Sequence, residues 1–230
     1  MLKENYDNVL LNIQKACKRV NRSADEVTLI AVSKTKPLSD IEELISHNVK
    51  DFGENKVQEL LDKYENVSTP VNWHLIGHLQ TNKVKYIVDR ACLIHSVDSL
   101  HLAREIEKEA AKKNVTASIL IEVNMAGEDT KFGISEAEAL PLVEEISRLP
   151  HVKIKGLMTI APFVDNPEDN RIHFKKMRQL LLDIKSKNID NVDMSILSMG
   201  MTNDYMVAVE EGSTMVRVGT GIFGERNYNI

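Results

Sequence analysis

The chain of 230 residues has only two cysteines, Cys17 and Cys92, far apart and in no CxxC pair. A disulfide framework and a thiolate zinc site are therefore not expected, and a reducing, cytoplasmic setting is. Long apolar runs are missing too. None exceeds the length of a strand, so no segment can span a bilayer as a helix and no membrane partner is expected. Residues 1–20 are charged and amphipathic rather than basic and then apolar, so no secretory signal is expected. Basic residues are in deficit, with 29 Lys and Arg against 34 Asp and Glu, a net charge of −5 and a pI near 5.8. Without a basic stripe to track phosphates, a nucleic-acid partner is not expected. The lysines alternate with acids, as at Glu105, Glu107, Lys108, Glu109, Lys112 and Lys113, the pattern of a solvated helix face. No linker or low-complexity tract divides the sequence, and one domain over 1–230 is expected.

What the chain does have is a steady alternation of short apolar runs with longer amphipathic stretches. The runs predict strands at 27–34, 49–52, 73–76, 93–97, 118–123, 153–159, 194–197 and 215–218. Between them the 3.6-residue period predicts helices at 39–47, 55–64, 99–113, 135–148, 170–187 and 202–210, with an extra helix at 5–19 ahead of the first strand. Ser39 with Glu42 and Ser135 with Glu138 have capping-box spacing, and Ser99 and Asn170 also read as helix starts. Strands each followed by a helix, in a chain of this length, predict a single (β/α)8 TIM barrel, with an open doubly wound sheet as the alternative. The loop 161–169, with two prolines, is a place for site residues in such a barrel.

Sites in these barrels lie where strands end, so the strand ends carry the functional reading. The first run closes Ser33-Lys34-Thr35-Lys36-Pro37. A lysine ending an apolar strand is either solvated beyond the sheet or desolvated and nucleophilic enough to form an imine with an aldehyde. Lys34 and Lys36 share strand parity, and Pro37 favours Lys34 only by holding Lys36 outside the sheet. The last run closes Gly219-Thr220-Gly221-Ile222-Phe223-Gly224, formally a GxGxxG. Six residues follow it, leaving no room for the helix, strand and acidic residue of a dinucleotide site. A glycine loop after the eighth strand is instead a phosphate site or a packing turn. Ser198 and Gly200, after the seventh run, have phosphate-compatible chemistry next to it, and Thr202 reads as an N-cap. Arg217, between Val216 and Val218, needs an acceptor inside a barrel. It either pairs with a carboxylate such as Glu122 or donates to a ligand ring nitrogen and keeps that nitrogen unprotonated.

His74 and His78 are four apart but lack the Glu of HExxH and begin in a strand, so no metal site is expected. His74 suits a satisfied interior polar group and His78 the exit of the strand. Asn55 reads as a helix cap that also stands at a barrel mouth. Met158 and Met199 read as core or pocket wall.

The runs AVSKTKP (31–37), FGENKVQE (52–59), WHLIGHLQTNK (73–83), TKFGI (130–134), GLMTIAP (156–162), LSMGMTND (197–204) and VRVGTGIFGER (216–226) resemble the pyridoxal phosphate homeostasis protein family. That family is a single barrel similar to the N-terminal domain of alanine racemase. The resemblance implies pyridoxal 5′-phosphate (PLP) as cofactor, held as an internal aldimine on Lys34. It implies Arg217 against the pyridine nitrogen, Ser198, Gly219 and Thr220 on the phosphate, and Asn55, His78, Met158 and Met199 bordering the pocket. Lys36 and Lys131 match secondary PLP contacts, and Thr202 stands where serine is common. It further implies a monomeric PLP carrier in vitamin B6 homeostasis, with PLP-requiring apo-enzymes as partners and no catalytic residue assigned. The alternatives are a PLP-dependent racemase or decarboxylase, which needs a second acid/base, and a PLP-free barrel enzyme acting on a sugar or nucleoside phosphate.

Overall fold

The computed structural model describes residues 1–128 and 130–225; Arg226, the last residue of the final motif, lies outside them. Its eight strands are β1 (Thr28–Val32), β2 (Asp51–Glu54), β3 (Asn72–Leu75), β4 (Leu93–Val97), β5 (Ala117–Glu122), β6 (Val152–Met158), β7 (Val192–Met201) and β8 (Met215–Val218). All pair in parallel with their sequence neighbours, and β1 also pairs with β8, in register Ile30 to Arg217, which closes the barrel expected from the sequence. An open sheet is thereby excluded.

The helices are α1 (Leu2–Arg19), α2 (Leu38–Ser46), α3 (Val57–Asn66), α4 (Val84–Ile87), α5 (Leu100–Lys113), α6 (Glu136–Ile146), α7 (Arg171–Lys185), α8 (Tyr205–Glu210) and α9 (Thr220–Phe223). After β8 the helix is a single turn, too short to cover that side of the sheet. α1 takes the place, packing against α8, α9 and α2. Asn5 Nδ2 donates to Ile222 O at 2.9 Å, Asn12 Nδ2 to the Tyr205 hydroxyl at 3.1 Å, and Arg19 meets Glu210 at 2.6 Å.

Strand alternation sorts side chains into two compartments. Outward residues such as Leu29, Ala31, Phe52, Trp73, Leu75, Ile119, Ile121, Leu197, Val216 and Val218 join the main core between sheet and helices. The barrel interior holds a small apolar cluster of Leu93, Leu120 and Met158, with Ile196 and Met215 against it. Polar residues fill much of the rest. Gly156 lies at an irregular β6–β7 register, where a Cβ would stand 1.8 Å from Ile196 O.

Helix starts depart from expectation in instructive ways. The Ser135–Glu138 capping box is present, and Ser99 caps α5 by accepting from Leu102 N. Ser39, however, lies inside α2, which starts after Pro37, and Glu42 instead accepts from Ser68 N and Oγ at 2.8 Å each. Asn170 precedes α7 without capping it, and its amide donates to Pro162 O and Asp204 Oδ2. Asn55 and Thr202 do not start helices either; α3 follows Lys56 and α8 follows Asp204. For Asn170 and Thr202 a tertiary partner takes the side chain in place of the local cap.

Candidate functional site

A cavity of about 690 Å³ opens at the C-terminal ends of the strands, within the usual range for small-molecule sites. Lys34, Asn55, Arg217, Gly219 and Thr220 line it together, alongside Ile76, Ile160, Phe163, Met201, Thr202 and Asn203. Five of the nine residues proposed from the sequence thus share one wall. A small adjoining recess of about 40 Å³ brings Lys34 and Lys36 against Gly219, Thr220 and Gly224.

The backbone around Lys34 is held from beneath. Thr35 adopts φ 64°, a conformation costly for a β-branched residue, by about 1–3 kcal/mol. What holds it is a buried cluster behind β1 and β2. Lys63 Nζ, on α3, donates at 2.7 Å to Ser33 O, to Glu54 Oε1 and to Glu59 Oε1. Glu59 Oε1 in turn accepts from Thr35 N, and Ser33 Oγ donates to Glu54. The residues before and after Lys34 are therefore both fixed to one ion cluster. Burial pushes the Glu54 carboxyl up, and the Lys63 charge and its hydrogen bonds work against that.

Arg217 is buried in the barrel interior, at 4% exposure, yet lines the cavity. Its NH1 donates to Ser198 Oγ at 2.6 Å and its NH2 to Thr159 O at 2.9 Å. Glu122, the carboxylate considered as its partner, acts on it through charge at longer range. Burial pulls the guanidinium down to about 10, with Glu122 and Asp204 opposing, so it stays cationic near neutral pH.

The loops after β7 and β8 are tied together. Thr202 Oγ1 accepts from Gly221 N at 3.3 Å, and Asp204 Oδ1 accepts from Met201 N at 2.7 Å. Gly219 and Thr220 open the single turn of α9, where backbone N–H groups lack intrahelical acceptors. Asn55 is brought to the wall by Gly77, where a Cβ would stand 2.4 Å from Asn55 O. Its Oδ1 is buried without a hydrogen-bond partner.

The other proposed residues stand elsewhere. His78 stacks on Phe132 with ring centroids 4.0 Å apart and borders a second cavity of about 320 Å³ that Asn55 also lines. Met158 lies in the interior apolar cluster, and Met199 packs in the outer core between sheet and helices; neither lines the cavity. Ser198 lies below the cavity, between Arg217 and His95. Of the secondary lysines, Lys36 Nζ donates to Phe223 O and Glu225 O, and Lys131 Nζ to Ala161 O. Among the described residues no group of three or more His, Cys, Asp or Glu could hold a metal ion.

Comparison with known proteins agrees with this geometry. Residues 5–227 match the model of the alanine racemase N-terminal domain family. The pyridoxal phosphate homeostasis protein of Aquifex aeolicus is 47% identical over 226 residues, covering 98% of each chain, and that of Haemophilus influenzae 37% over 231 residues, covering 99% of this chain and 97% of its own. The chain belongs to the pyridoxal phosphate homeostasis protein family. Among solved structures, PipY of Synechococcus elongatus with PLP bound superposes with a TM-score of 0.81 at 32% identity, over 92% of this chain and 100% of PipY. Alanine racemase of Clostridium difficile superposes at 0.74 with 14% identity, over 99% of this chain and 57% of the racemase, a likeness of fold alone.

Sequence reasoning identified this family but missed the apparatus beneath the site. His95 sits in the run Leu-Ile-His-Ser-Val with the parity of Leu93, a polar group on an interior face. That parity was the available signal. Lys63 gave none, because a lysine on a helix surface is ordinarily solvated.

Proposed function

We propose that this family member binds pyridoxal 5′-phosphate covalently through Lys34 and serves its intracellular homeostasis rather than turning over a substrate. The observation that carries the reading is that Lys34, on an anchored backbone, Arg217, Gly219 and Thr220 line one cavity. The donor set fits the cofactor. The orphan Asn55 Oδ1 offers an acceptor, and Gly219 and Thr220 offer backbone donors suited to a phosphate.

When bound, PLP supplies an aldehyde for attachment and a ring that can accept electrons. Lys34 is the attachment point, and the Lys63 cluster keeps its backbone in place. Arg217 has one N–H of NH1 and one of NH2 committed to Ser198 and Thr159, and it presents the remainder of a donor-only group to the cavity. Such a group keeps a facing ring nitrogen unprotonated, which weakens electron withdrawal and favours carrying over catalysis. Apo-enzymes that require PLP are the proposed recipients. The protein is proposed to act as a monomer in the cytoplasm; no helix among the described residues is long and apolar enough to cross a membrane.

Borohydride reduction of the PLP-loaded protein, followed by peptide mass spectrometry, tests the reading. A pyridoxyl adduct on Lys34, lost in Lys34→Ala together with the visible absorbance, is expected. An adduct on another lysine alone would overturn it.

A further inference from the structure

The cavity that holds Lys34 has apolar side chains at its wall that stand in water. Ile160 and Phe163, on the loop that leaves β6, and Met201, at the end of β7, all line it. Ile160 is 37% exposed, Met201 38% and Phe163 89%. A single exposed apolar side chain is ordinary, but a group of them around a polar cavity marks a place where something binds. Phe163 is the one aromatic among the described residues that line this cavity.

The backbone beneath Phe163 is firmly held. Thr159, just past β6, donates from N to Ser198 O at 3.1 Å and from Oγ1 to Val123 O at 2.7 Å, while its carbonyl accepts from Arg217. Further along, side chains from three other segments take the carbonyls on either side of the ring. Lys131 Nζ donates to Ala161 O at 3.0 Å, Asn170 Nδ2 to Pro162 O at 2.9 Å and Asn203 Nδ2 to Val164 O at 2.9 Å. Pro162 fixes its own φ and restricts Ala161, and residues 159–164 contain no glycine. Asp204 joins this scaffold to the loop after β7, because Oδ2 accepts from Asn170 Nδ2 at 2.8 Å and Oδ1 from Met201 N at 2.7 Å. The chain thus presents an aromatic side chain at a defined place, and a ligand that fills the cavity meets it without any backbone movement.

The chemistry of release gives such a side chain a task. A flat conjugated ring attached at Lys34 has two faces, and water or an amine attacks its carbon–nitrogen double bond from one of them, perpendicular to the plane. Hydrolysis adds water across that bond and then breaks it. The oxygen of water ends in the aldehyde, and both its hydrogens end on the Lys34 amine. A side chain lying against one face closes that approach and keeps water away. A phenyl ring does so with a favourable contact of its own, in offset or edge-on geometry against a pyridine ring. Lys34, Asn55, Arg217 and Thr220 offer polar atoms instead, suited to the ring's substituents and edge.

We propose that Phe163, backed by Ile160 and Met201, is the apolar cover of the cavity: it packs on the ring held at Lys34 and sets how fast water and amines release it. The proposal deepens the PLP reading and rests on it for the ligand's identity. A carrier must both keep its cargo and give it up. A side chain that guards the bond without forming it separates the rate of release from the chemistry of attachment.

Two measurements on the full chain test the cover. Carbon-13 NMR of labelled phenylalanine follows all five rings as PLP is added. The Phe163 resonances, assigned with Phe163→Leu, should shift on loading, and those of Phe132, also exposed but stacked on His78, should move far less. Release from the loaded protein is then timed with hydroxylamine, a small nucleophile that attacks the same carbon, by loss of the visible absorbance. Phe163→Ala should release about tenfold faster than wild type, the worth of one partly buried ring, and Phe163→Leu should lie close to wild type. A side chain so exposed adds little to packing, so both variants should unfold at the wild-type midpoint before PLP is added; a lowered midpoint would assign Phe163 to packing instead. Phe163 resonances that stay put while mass spectrometry finds the adduct on Lys34, or an alanine variant that releases at the wild-type rate, overturn the proposal. Wild-type release combined with slower transfer to an apo-enzyme would make Phe163 a docking anchor rather than a cover. A wild type that takes up no PLP on Lys34 sinks the carrier reading, and the cover with it.

Discussion

Glu122 provides a measurement in which the sign of a pH effect reports the interior of the barrel. It ends β5 on the inward face, buried at 4% exposure, and no ion pair compensates it among the described residues. Its carboxyl is pushed up to about 7 from 4.5, by burial first and by repulsion from Asp98, against the attraction of Arg217. At 1.36 kcal/mol for each pH unit, ionising it in the folded protein costs roughly 3 kcal/mol. The unfolded chain titrates near 4.5, so the folded state holds more protons between about pH 4.5 and 7. Stability conferred by this group must therefore be complete below that window and be lost as pH rises through it. Glu122→Gln keeps the shape of the protonated acid and removes the titration. Urea unfolding at about pH 4 should give wild type and variant similar midpoints, and at about pH 8 the variant should be more stable by up to roughly 3 kcal/mol. An equal difference at both pH values, or a variant less stable at the higher one, would refute the assignment of a buried, uncompensated carboxyl.

Two further expectations concern the scaffold. Lys63→Met leaves Glu54 buried without its cation and releases Thr35 from Glu59, so urea unfolding should show a loss of about 3–5 kcal/mol, and borohydride trapping at Lys34 should slow even in the protein that remains folded. Gly156→Ala places a methyl group against Ile196 O where no flexible side chain can give way, and a loss of about 1–3 kcal/mol or more, read by thermal unfolding, is expected.

The barrel was legible because its strands are buried on the outer face and its helices are amphipathic, so both periods show in the sequence. Closure was not, since the pairing of Thr28 with Met215 joins residues that no local pattern connects. Lys34, Arg217, Gly219 and Thr220 were found because each breaks a local rule at a strand end. Ser198 was found for the same reason, but its partner proved to be His95 rather than the cavity. Asn170 stands at the start of α7 as expected, though its amide goes to Pro162 O and Asp204, and Thr202 was misread as a cap because its hydroxyl instead meets Gly221 N across the fold. Lys63 and His95 act through contacts 30 and 103 residues away in sequence, to Ser33 and Ser198, and such contacts leave no trace in spacing.

The packing of α1 beside β8, where α9 is a single turn, has a consequence for the order of folding. The first helix emerges early, yet its resting place is built from α8 and α9, more than 180 residues later. Until those segments are in place, the apolar face of α1 around Val9, Ile13 and Ala16 has only α2 to pack against, and β1 has a free edge. Docking of α1 onto α8 and α9, like the pairing of β1 with β8, joins residues far apart in sequence, the class of contact that raises contact order and slows folding.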